Sequence, residues 1–260
     1  MSESTGRLHA EVRGHTAVVT IDNPAKRNAM APAMWEAMPP LLDGLAADPA
    51  VRVVVLTGAG ETFCAGAEIS SLPSLGTGGD GDGRDLAVKA ETALASFPKP
   101  VIAAIRGYCV GGGCQLAAAC DLRIAADDAR FAITPAKIGI VYPPSATTRI
   151  VGLIGASAMK LLLYTADLID APHALRIGLA DELTAPADLT ARVTAIADTV
   201  ASRSQMTVRA SKEIVDAIAA GSDISDLAGA WRKAAVNGPD AAEGIAAFAE
   251  RRKPDFTWAG

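Results

Sequence analysis

The sequence predicts an α/β fold that is followed by a region made only of helices. Two apolar runs, Val53–Leu56 and Val101–Ile105, each lead into a turn of glycines and other small residues. Such continuous apolar runs are typical of strands that are covered on both faces. After residue 188, the apolar spacing instead indicates four successive amphipathic helices. We therefore expect an α/β core over residues 1–200 and a helical region over 201–260.

Composition excludes several classes of protein. The chain has 260 residues, of which 50% are apolar, and its formal net charge is -5. That charge, with no basic stripe, argues against a nucleic-acid partner. The polar N-terminal stretch lacks the apolar core of a signal peptide. We expect a cytoplasmic protein with neither a nucleic-acid partner nor a membrane partner.

The four cysteines predict neither a metal site nor a disulfide framework. Cys109, Cys114 and Cys120 cluster around one helix, but their spacing matches no zinc motif. A disulfide framework does not fit a chain of this size without a signal peptide. We interpret them, with Cys64, as buried thiols and expect no bound metal.

The order of elements follows from turn residues and apolar spacing. A hairpin is expected around Gly14, and a helix over Ala31–Ala47 that Pro39-Pro40 should kink or split. Further helices are expected at Leu86–Ala95, Ala156–Leu163, Ala171–Gly178, Leu189–Ser202, Met206–Ala220, Ile224–Val236 and Asp240–Arg252, and further strands at Asp121–Ala125 and Ala129–Ile133.

The stretch Ile105–Asp121 has the pattern of a ligand-binding turn. Three consecutive glycines, Gly111 to Gly113, stand between a strand and an alanine-rich helix. The first N–H groups of a helix have no intrahelical partner, and glycine allows close approach to them. Such a turn holds a phosphate or a developing oxyanion. The alternative is a tight turn whose glycines only allow close packing.

A second turn favours the oxyanion reading. Val51–Ser70 contains a strand followed by the small residues of Phe63-Cys64-Ala65-Gly66-Ala67-Glu68. The chain thus has two strand-then-turn segments, and each can present a backbone N–H. Two donors that converge on one oxygen form an oxyanion hole.

These two stretches resemble the signatures of the enoyl-CoA hydratase/isomerase, or crotonase, superfamily. FCAGAEIS is similar to its F-[SC]-A-G-A-D-[LI] segment, and GYCVGGGCQLAAACDLRIA to its glycine-rich signature. The resemblance implies a ClpP/crotonase-like spiral core of ββα units, with a C-terminal helical trimerisation region. It also implies that the amides of Ala67 and Gly112 polarise a thioester carbonyl and stabilise its enolate.

The resemblance also implies where coenzyme A binds. The loop with Lys26 and Arg27 would meet its phosphates, although a solvated basic pair is the alternative. Ala65 and Gly66 would lie beside it. Phe248 and Arg251 would reach the coenzyme A of a neighbouring subunit, or else form an ordinary helix end. The expected partner is an acyl-CoA thioester, with no permanently bound cofactor, and the expected assembly is a homotrimer or a dimer of trimers.

The acid–base residues depart from the family pattern. The well-known hydratases use two glutamates, and their positions correspond here to Gln115 and Pro135. Neither side chain exchanges a proton at neutral pH. The two-glutamate mechanism is therefore absent, and the isomerases that use the second glutamate are put in doubt.

Tyr142 suggests an alternative reaction. The run F-A-x-T-P-x-x-x-G-x-x-Y resembles the methylmalonyl-CoA decarboxylase-like subgroup, in which a tyrosine lies near the substrate carboxylate. Those enzymes carry His where this chain has Ala67. Decarboxylation needs an oxyanion hole but no general base. Tyr142 as a packed aromatic residue is the other interpretation.

Two more residues and two more classes of function complete the expectations. Glu68 is expected to cap the following helix rather than to act in catalysis, and Gln115 to hydrogen-bond a water or a thioester substituent. The segment Ser71–Arg84 is a lid or a surface loop. Beside an acyl-CoA lyase or isomerase we consider a non-catalytic acyl-CoA binder. A hydrolase lacks support because no nucleophile and base adjoin the motifs.

Overall fold

The structure is a computed structural model that describes residues 6–68 and 83–258, without the side chains of residues 83–85. Its strands fall into two sheets. They are β1 (Arg7–Arg13), β2 (Thr16–Asp22), β3 (Val53–Gly58), β4 (Val101–Ile105), β5 (Tyr108–Val110), β6 (Leu122–Ala126), β7 (Arg130–Ala132), β8 (Ile169–Asp170) and β9 (Glu182–Thr184).

Helices are interspersed among the strands up to β9, and the elements after β9 in the described chain are all helices. They are α1 (Pro32–Ala47), α2 (Gly83–Ala95), α3 (Gly112–Ala119), α4 (Pro144–Thr165), α5 (Ala171–Ile177), α6 (Leu189–Ala201), α7 (Gln205–Ala219), α8 (Ser225–Asn237) and α9 (Pro239–Glu250). Short 3-10 turns cover Pro24–Lys26 and Pro135–Lys137.

From β4 to β7, successive strands alternate between the two sheets. The larger sheet has the order β1-β2-β3-β4-β6-β9, and the smaller one has the order β5-β7-β8. β4 and β6 lie in the larger sheet, while β5 and β7, which follow them directly, lie in the smaller. The chain therefore advances as a spiral of strand pairs and helices, which confirms the predicted α/β fold.

The central strands are buried on both faces, as their apolar runs predict. One face of the larger sheet joins the main core with α1, α2, α3 and α4. The other face, with Val55, Ile102 and Ile124, packs against α6 through Leu189 and Val193. This double cover explains why β3 and β4 carry few polar side chains.

Of the predicted kink or split of the first helix at Pro39-Pro40, the split is wrong and the kink stays a prediction. α1 continues through both prolines to Ala47. Trp35, Met38 and Leu42 on its inner side are buried. Burial of these large side chains offsets the backbone N–H donors that the prolines remove.

One helix of the described residues, α4, has the length and apolar composition of a membrane span. The chain leaves helical geometry at Gly155, where φ is 76° and ψ is 162°. The two helical pieces, 144–154 and 156–165, are each shorter than the about 20 residues that a span needs. The sequence predicted only the second piece. The expected absence of a membrane partner stays a prediction.

The C-terminal helices form where amphipathic spacing predicted them. α7 contacts α8, and α8 contacts α9. α7 is joined to the core by an ion pair between Lys212 and Asp121. Trp258 packs against Trp231, with 6.1 Å between the ring centroids. The domain boundary at residue 200 stays a prediction.

Asn28 fixes the loop between β2 and α1. It is fully buried with a φ of 57°. Its side-chain oxygen accepts from the Asn23 N–H at 2.9 Å, and its Nδ2 donates to the carbonyls of Ala59 and Thr62. One side chain therefore ties this loop to the turn after β3, on which Ala67 stands.

Replacing Asn28 by Ala should lower the free energy of unfolding by about 2–4 kcal/mol, because buried backbone groups lose their partners. Urea unfolding followed by circular dichroism measures the change. The matched control is Asn237→Ala, at an exposed position at the end of α8. Equal stabilities for Asn28→Ala and the unchanged protein would contradict this role.

Candidate active site

The two turns predicted to carry the oxyanion donors lie side by side. The Cys64 N–H donates to the Tyr108 carbonyl at 2.9 Å, and the Val110 N–H donates to the Cys64 carbonyl at 2.9 Å. The segment after β3 thus pairs with β5, which leads directly into α3. Ala67 and Gly112 each follow these paired residues by a few positions, so both turns reach the same end of the spiral.

The amides of Ala67 and Gly112 border one small space. A Cβ placed on Gly112 would lie 3.4 Å from the Ala67 nitrogen and 3.1 Å from the Trp35 ring. Across residues 6–68 and 83–258, neither of these two N–H groups donates to a protein acceptor. Two adjacent donors without protein partners are suited to bind one oxygen atom.

The residues on either side of Ala67 pair with Met30, and this pairing does not use the Ala67 N–H. The Met30 N–H donates to the Gly66 carbonyl at 2.8 Å, and the Glu68 N–H donates to the Met30 carbonyl at 2.9 Å. In this extended pairing, the N–H between two bonded groups points the other way. The loop before α1 therefore orients the donor as well as holding the turn.

Glycine is required at two positions of the second turn. Gly111 has a φ of 54° and a ψ of -110°, which residues with a Cβ rarely adopt. A Cβ on Gly113 would lie 2.3 Å from the Cys64 carbonyl oxygen. The alternative reading of the glycines, close packing, thus holds for Gly113 and is compatible with the donor role of Gly112.

Gln115 does not stand alone in the site. It is buried, one turn beyond Gly112 on α3, and its Nε2 donates to Glu91 Oε2 at 2.9 Å. The same oxygen of Glu91 accepts from the Ser145 hydroxyl at 2.7 Å. Its other oxygen, Oε1, accepts from Arg149 Nε at 3.0 Å. We call Gln115, Glu91, Ser145 and Arg149 the Glu91 cluster.

The second family glutamate has no counterpart in the structure. Pro135 is buried and begins the 3-10 turn that follows β7. Its ring carries no group that binds or transfers a proton. The residues at both family positions, Gln115 and Pro135, therefore lack acid–base function.

Tyr142 packs beneath the glycine turn. It is buried, and its hydroxyl donates to the Gly111 carbonyl at 2.8 Å. Burial raises the pKa of this phenol well above its usual value, and the nearby thiols and Glu91 add to the effect. The phenolic proton is thus held in a hydrogen bond to the turn that carries Gly112. The catalytic role of Tyr142 stays a prediction.

Lys26 and Glu68 form an ion pair beside the first turn. Arg27 lies over the Tyr108 ring, with 5.4 Å from its guanidinium carbon to the centroid. The Arg27 carbonyl accepts from the Ala65 N–H at 3.0 Å. The basic loop is thus held against the segment with Ala65 and Gly66, and the coenzyme A contacts assigned to these residues stay predictions.

The site described above does not include three expected features, namely the contact of Phe248 and Arg251 with a neighbouring subunit, the lid, and the helix cap by Glu68. Phe248 is 88% exposed near the end of α9, and Arg251, also exposed, follows that helix. Their contact with a neighbouring subunit stays a prediction. Residues 69–82, most of the expected lid and the start of the helix that Glu68 was to cap, lie outside the described residues.

No group of three or more metal-ligating side chains occurs in the part of the chain that the structure describes. The four cysteines are free and buried. Cys109 and Cys114 have 3.8 Å between their sulfur atoms. The expectation that the protein holds no metal stays a prediction.

Comparisons with known proteins agree with this geometry. A family model described as "Enoyl-CoA hydratase/isomerase" matches residues 11–258. The chain belongs to the enoyl-CoA hydratase/isomerase family. A solved structure titled as a member of this family is 37% identical, with a TM-score of 0.93 and 100% of each chain covered. The family's fold and acyl-CoA chemistry therefore apply to this chain.

Two curated relatives show how varied the substrates of similar chains are. A crotonyl-CoA hydratase from Syntrophomonas wolfei is 35% identical, covering 92% of this chain and 94% of its own length. An (E)-benzylidenesuccinyl-CoA hydratase from Thauera aromatica is also 35% identical, covering 95% and 97%.

Sequence reasoning missed the Glu91 cluster and Trp35. A local signal for Glu91 existed, because it lies four residues after Ala87 and three before Leu94 on the apolar side of α2. A carboxylate within an apolar stripe of a helix needs a buried partner. The partners, on α3 and α4, are too distant in sequence to be recognised from local spacing.

The cysteines should be unreactive in the folded protein. Burial raises the pKa of Cys64 to about 12 and raises the pKa of Cys109 and Cys120 as well. With raised pKa values these thiols stay protonated at pH 8. Because the thiolate is the nucleophile, they should react slowly with thiol reagents. We expect no rapid reaction with Ellman's reagent until denaturant is added, when four thiols should appear. Rapid labelling of the native protein would contradict this burial.

Proposed function

We propose that the protein is an acyl-CoA lyase that adds water to, or removes it from, the bond next to a thioester carbonyl. The observation that carries this proposal is the adjacent pair of unengaged amides, Ala67 N–H and Gly112 N–H. They would bind the thioester oxygen and hold the enolate that forms when the β-carbon is attacked.

The physical basis is stabilisation of developing charge. In the enolate the negative charge rests on the former carbonyl oxygen, so donors fixed before reaction stabilise it more than they stabilise the substrate. Removal of one such donor costs about 100- to 1,000-fold in kcat in other enzymes. The backbone here is fixed by its own hydrogen bonds, so little reorganisation is needed.

Decarboxylation is the second candidate. The observation in its favour is that Gln115 and Pro135 provide no acid or base, and loss of carbon dioxide from an enolate-forming thioester needs none. Hydration is preferred because the curated relatives reported above are hydratases. A non-catalytic acyl-CoA binder is the third possibility.

We extend the proposal to binding and assembly. Lys26 and Arg27 are placed beside Ala65 and Gly66, where cations suit the phosphates of coenzyme A. Exposed apolar side chains on the C-terminal helices support a homotrimer or a dimer of trimers. They are Val215, Ile218, Val236, Ile245 and Phe248. The reduced, buried thiols fit the cytoplasm.

Incubation with a panel of acyl-CoA thioesters tests the reaction. Mass spectrometry of crotonyl-CoA should show a gain of water, and methylmalonyl-CoA should stay intact. Loss of carbon dioxide would support the second candidate. If the protein binds these thioesters but changes none of them, the proposed lyase activity is contradicted and the non-catalytic binder is supported.

Gly112→Ala tests the amide pair in the same assay. The added methyl would lie 3.4 Å from the Ala67 nitrogen, where the oxygen should bind. We expect kcat to fall by about 100-fold or more. The matched control is Gly152→Ala on α4, where a Cβ meets nothing within 4 Å. Equal activity of the two variants would remove the amide pair from the mechanism.

A further inference from the structure

Glu91 is a buried carboxylate that the reaction proposed above does not yet use. Its side chain is 0% exposed. Among the described residues, only Asp240 is another buried acidic side chain, and it lies in the C-terminal helices. Burying a carboxylate is costly unless it is paired and hydrogen-bonded. Its presence next to Gln115 therefore needs an explanation.

Two segments of the chain connect the Glu91 cluster with the glycine turn. Gln115, which donates to Glu91, stands on α3 one turn beyond Gly112. Ser145, which also donates to Glu91, follows by three residues the tyrosine that holds the Gly111 carbonyl. Both donors to Glu91 Oε2 thus come from segments that build the glycine turn.

Ser145 connects the carboxylate to accessible space. Its side chain is half-buried, whereas Glu91 is fully covered. The hydroxyl donates to Glu91 Oε2 at 2.7 Å, so its lone pairs remain able to accept a proton. A hydroxyl in this position can pass a proton inward to the covered carboxylate.

A purely structural ion pair with Arg149 is the competing explanation. The Arg149 side chain is 37% exposed, and its Nε donates to Glu91 Oε1. With Arg149 on Oε1, the buried Oε2 still needs a donor, and one neutral donor would supply it. Instead, two neutral donors converge on its other oxygen, beside a site whose usual acid–base positions hold Gln115 and Pro135.

We propose that Ser145 and Glu91 form the proton-transfer pair of this site, an inference that rests on the proposed hydration reaction. The water oxygen bonds to the β-carbon while its proton passes to Ser145 Oγ and the Ser145 proton passes to Glu91. The electron pair of the double bond shifts to join the α-carbon and the thioester carbon, and the carbonyl π pair moves to the oxygen held by Ala67 and Gly112. Glu91 then returns the proton through Ser145 to the α-carbon, so the net change is addition of one water.

Ser145→Ala and Glu91→Gln test the pair. We expect each variant to lower kcat for crotonyl-CoA hydration by about 100-fold or more, with KM within about threefold, since positioned acid–base groups contribute on that scale. The double variant should lose no more than either single one, because both act on one proton path.

A second readout isolates proton transfer from water addition. Butyryl-CoA has no double bond, but its α-hydrogens exchange with D₂O when an enolate forms and is reprotonated. We expect the unchanged protein to catalyse this exchange and both variants to lose it in parallel with hydration. Hydration lost with exchange unchanged would overturn the pair.

Matched controls separate this role from folding. Thr148→Ala removes a hydroxyl on the same helix as Ser145, and this hydroxyl donates to the Pro144 carbonyl. Glu36→Gln neutralises an exposed carboxylate on α1. Both should keep the kcat of the unchanged protein. Thermal unfolding is measured for every variant, and Ser145→Ala carries the test if Glu91→Gln does not fold.

The outcomes distinguish the two proposals. If the unchanged protein hydrates crotonyl-CoA and both variants stay within threefold of it, the proton-transfer pair is overturned and the proposed function stands. If additive losses accompany a lower Tm and a higher KM, the cluster is structural and the pair is overturned. If the unchanged protein neither hydrates nor exchanges, both proposals fail together.

Discussion

Two hydrogen bonds, from Cys64 N–H to Tyr108 and from Val110 N–H to Cys64, place the two turns of the site next to each other. Each turn alone is a sharp bend after a strand. Together they bring two free amides to one space, because the larger sheet fixes where β3 and β4 end. Asn28 and Met30 add the loop before α1 to the same arrangement. The site is therefore a property of backbone pairing more than of side chains.

Side chains support this backbone arrangement and, in the proposed mechanism, transfer the protons. Trp35 closes one side of the Gly112 position, and Tyr142 holds the Gly111 carbonyl from below. The Glu91 cluster supplies the one buried carboxylate near these groups in the described chain. In the proposed mechanism, enolate stabilisation is thus separated from proton transfer, so the acid–base residues can differ while the amide pair stays the same.

The two strand-then-turn segments predicted paired backbone donors, and the resemblance to the crotonase signatures assigned them to Ala67 and Gly112. The sequence also predicted the four C-terminal helices, whose apolar spacing is regular. It mispredicted a break in α1, because burial of Trp35 and Met38 outweighs two prolines. It missed the contact of Glu91 with Ser145, because residues 54 positions apart meet only through tertiary packing.

The polarisation of a bound thioester carbonyl tests the central claim most directly. Isotope-edited infrared spectroscopy of butyryl-CoA labelled with ¹³C at the carbonyl compares the free and the bound thioester without turnover. Two fixed amide donors should lower the C=O stretching frequency on binding, since they draw charge onto the oxygen. An unchanged frequency at saturating protein would contradict the assignment of Ala67 and Gly112 as the oxyanion donors.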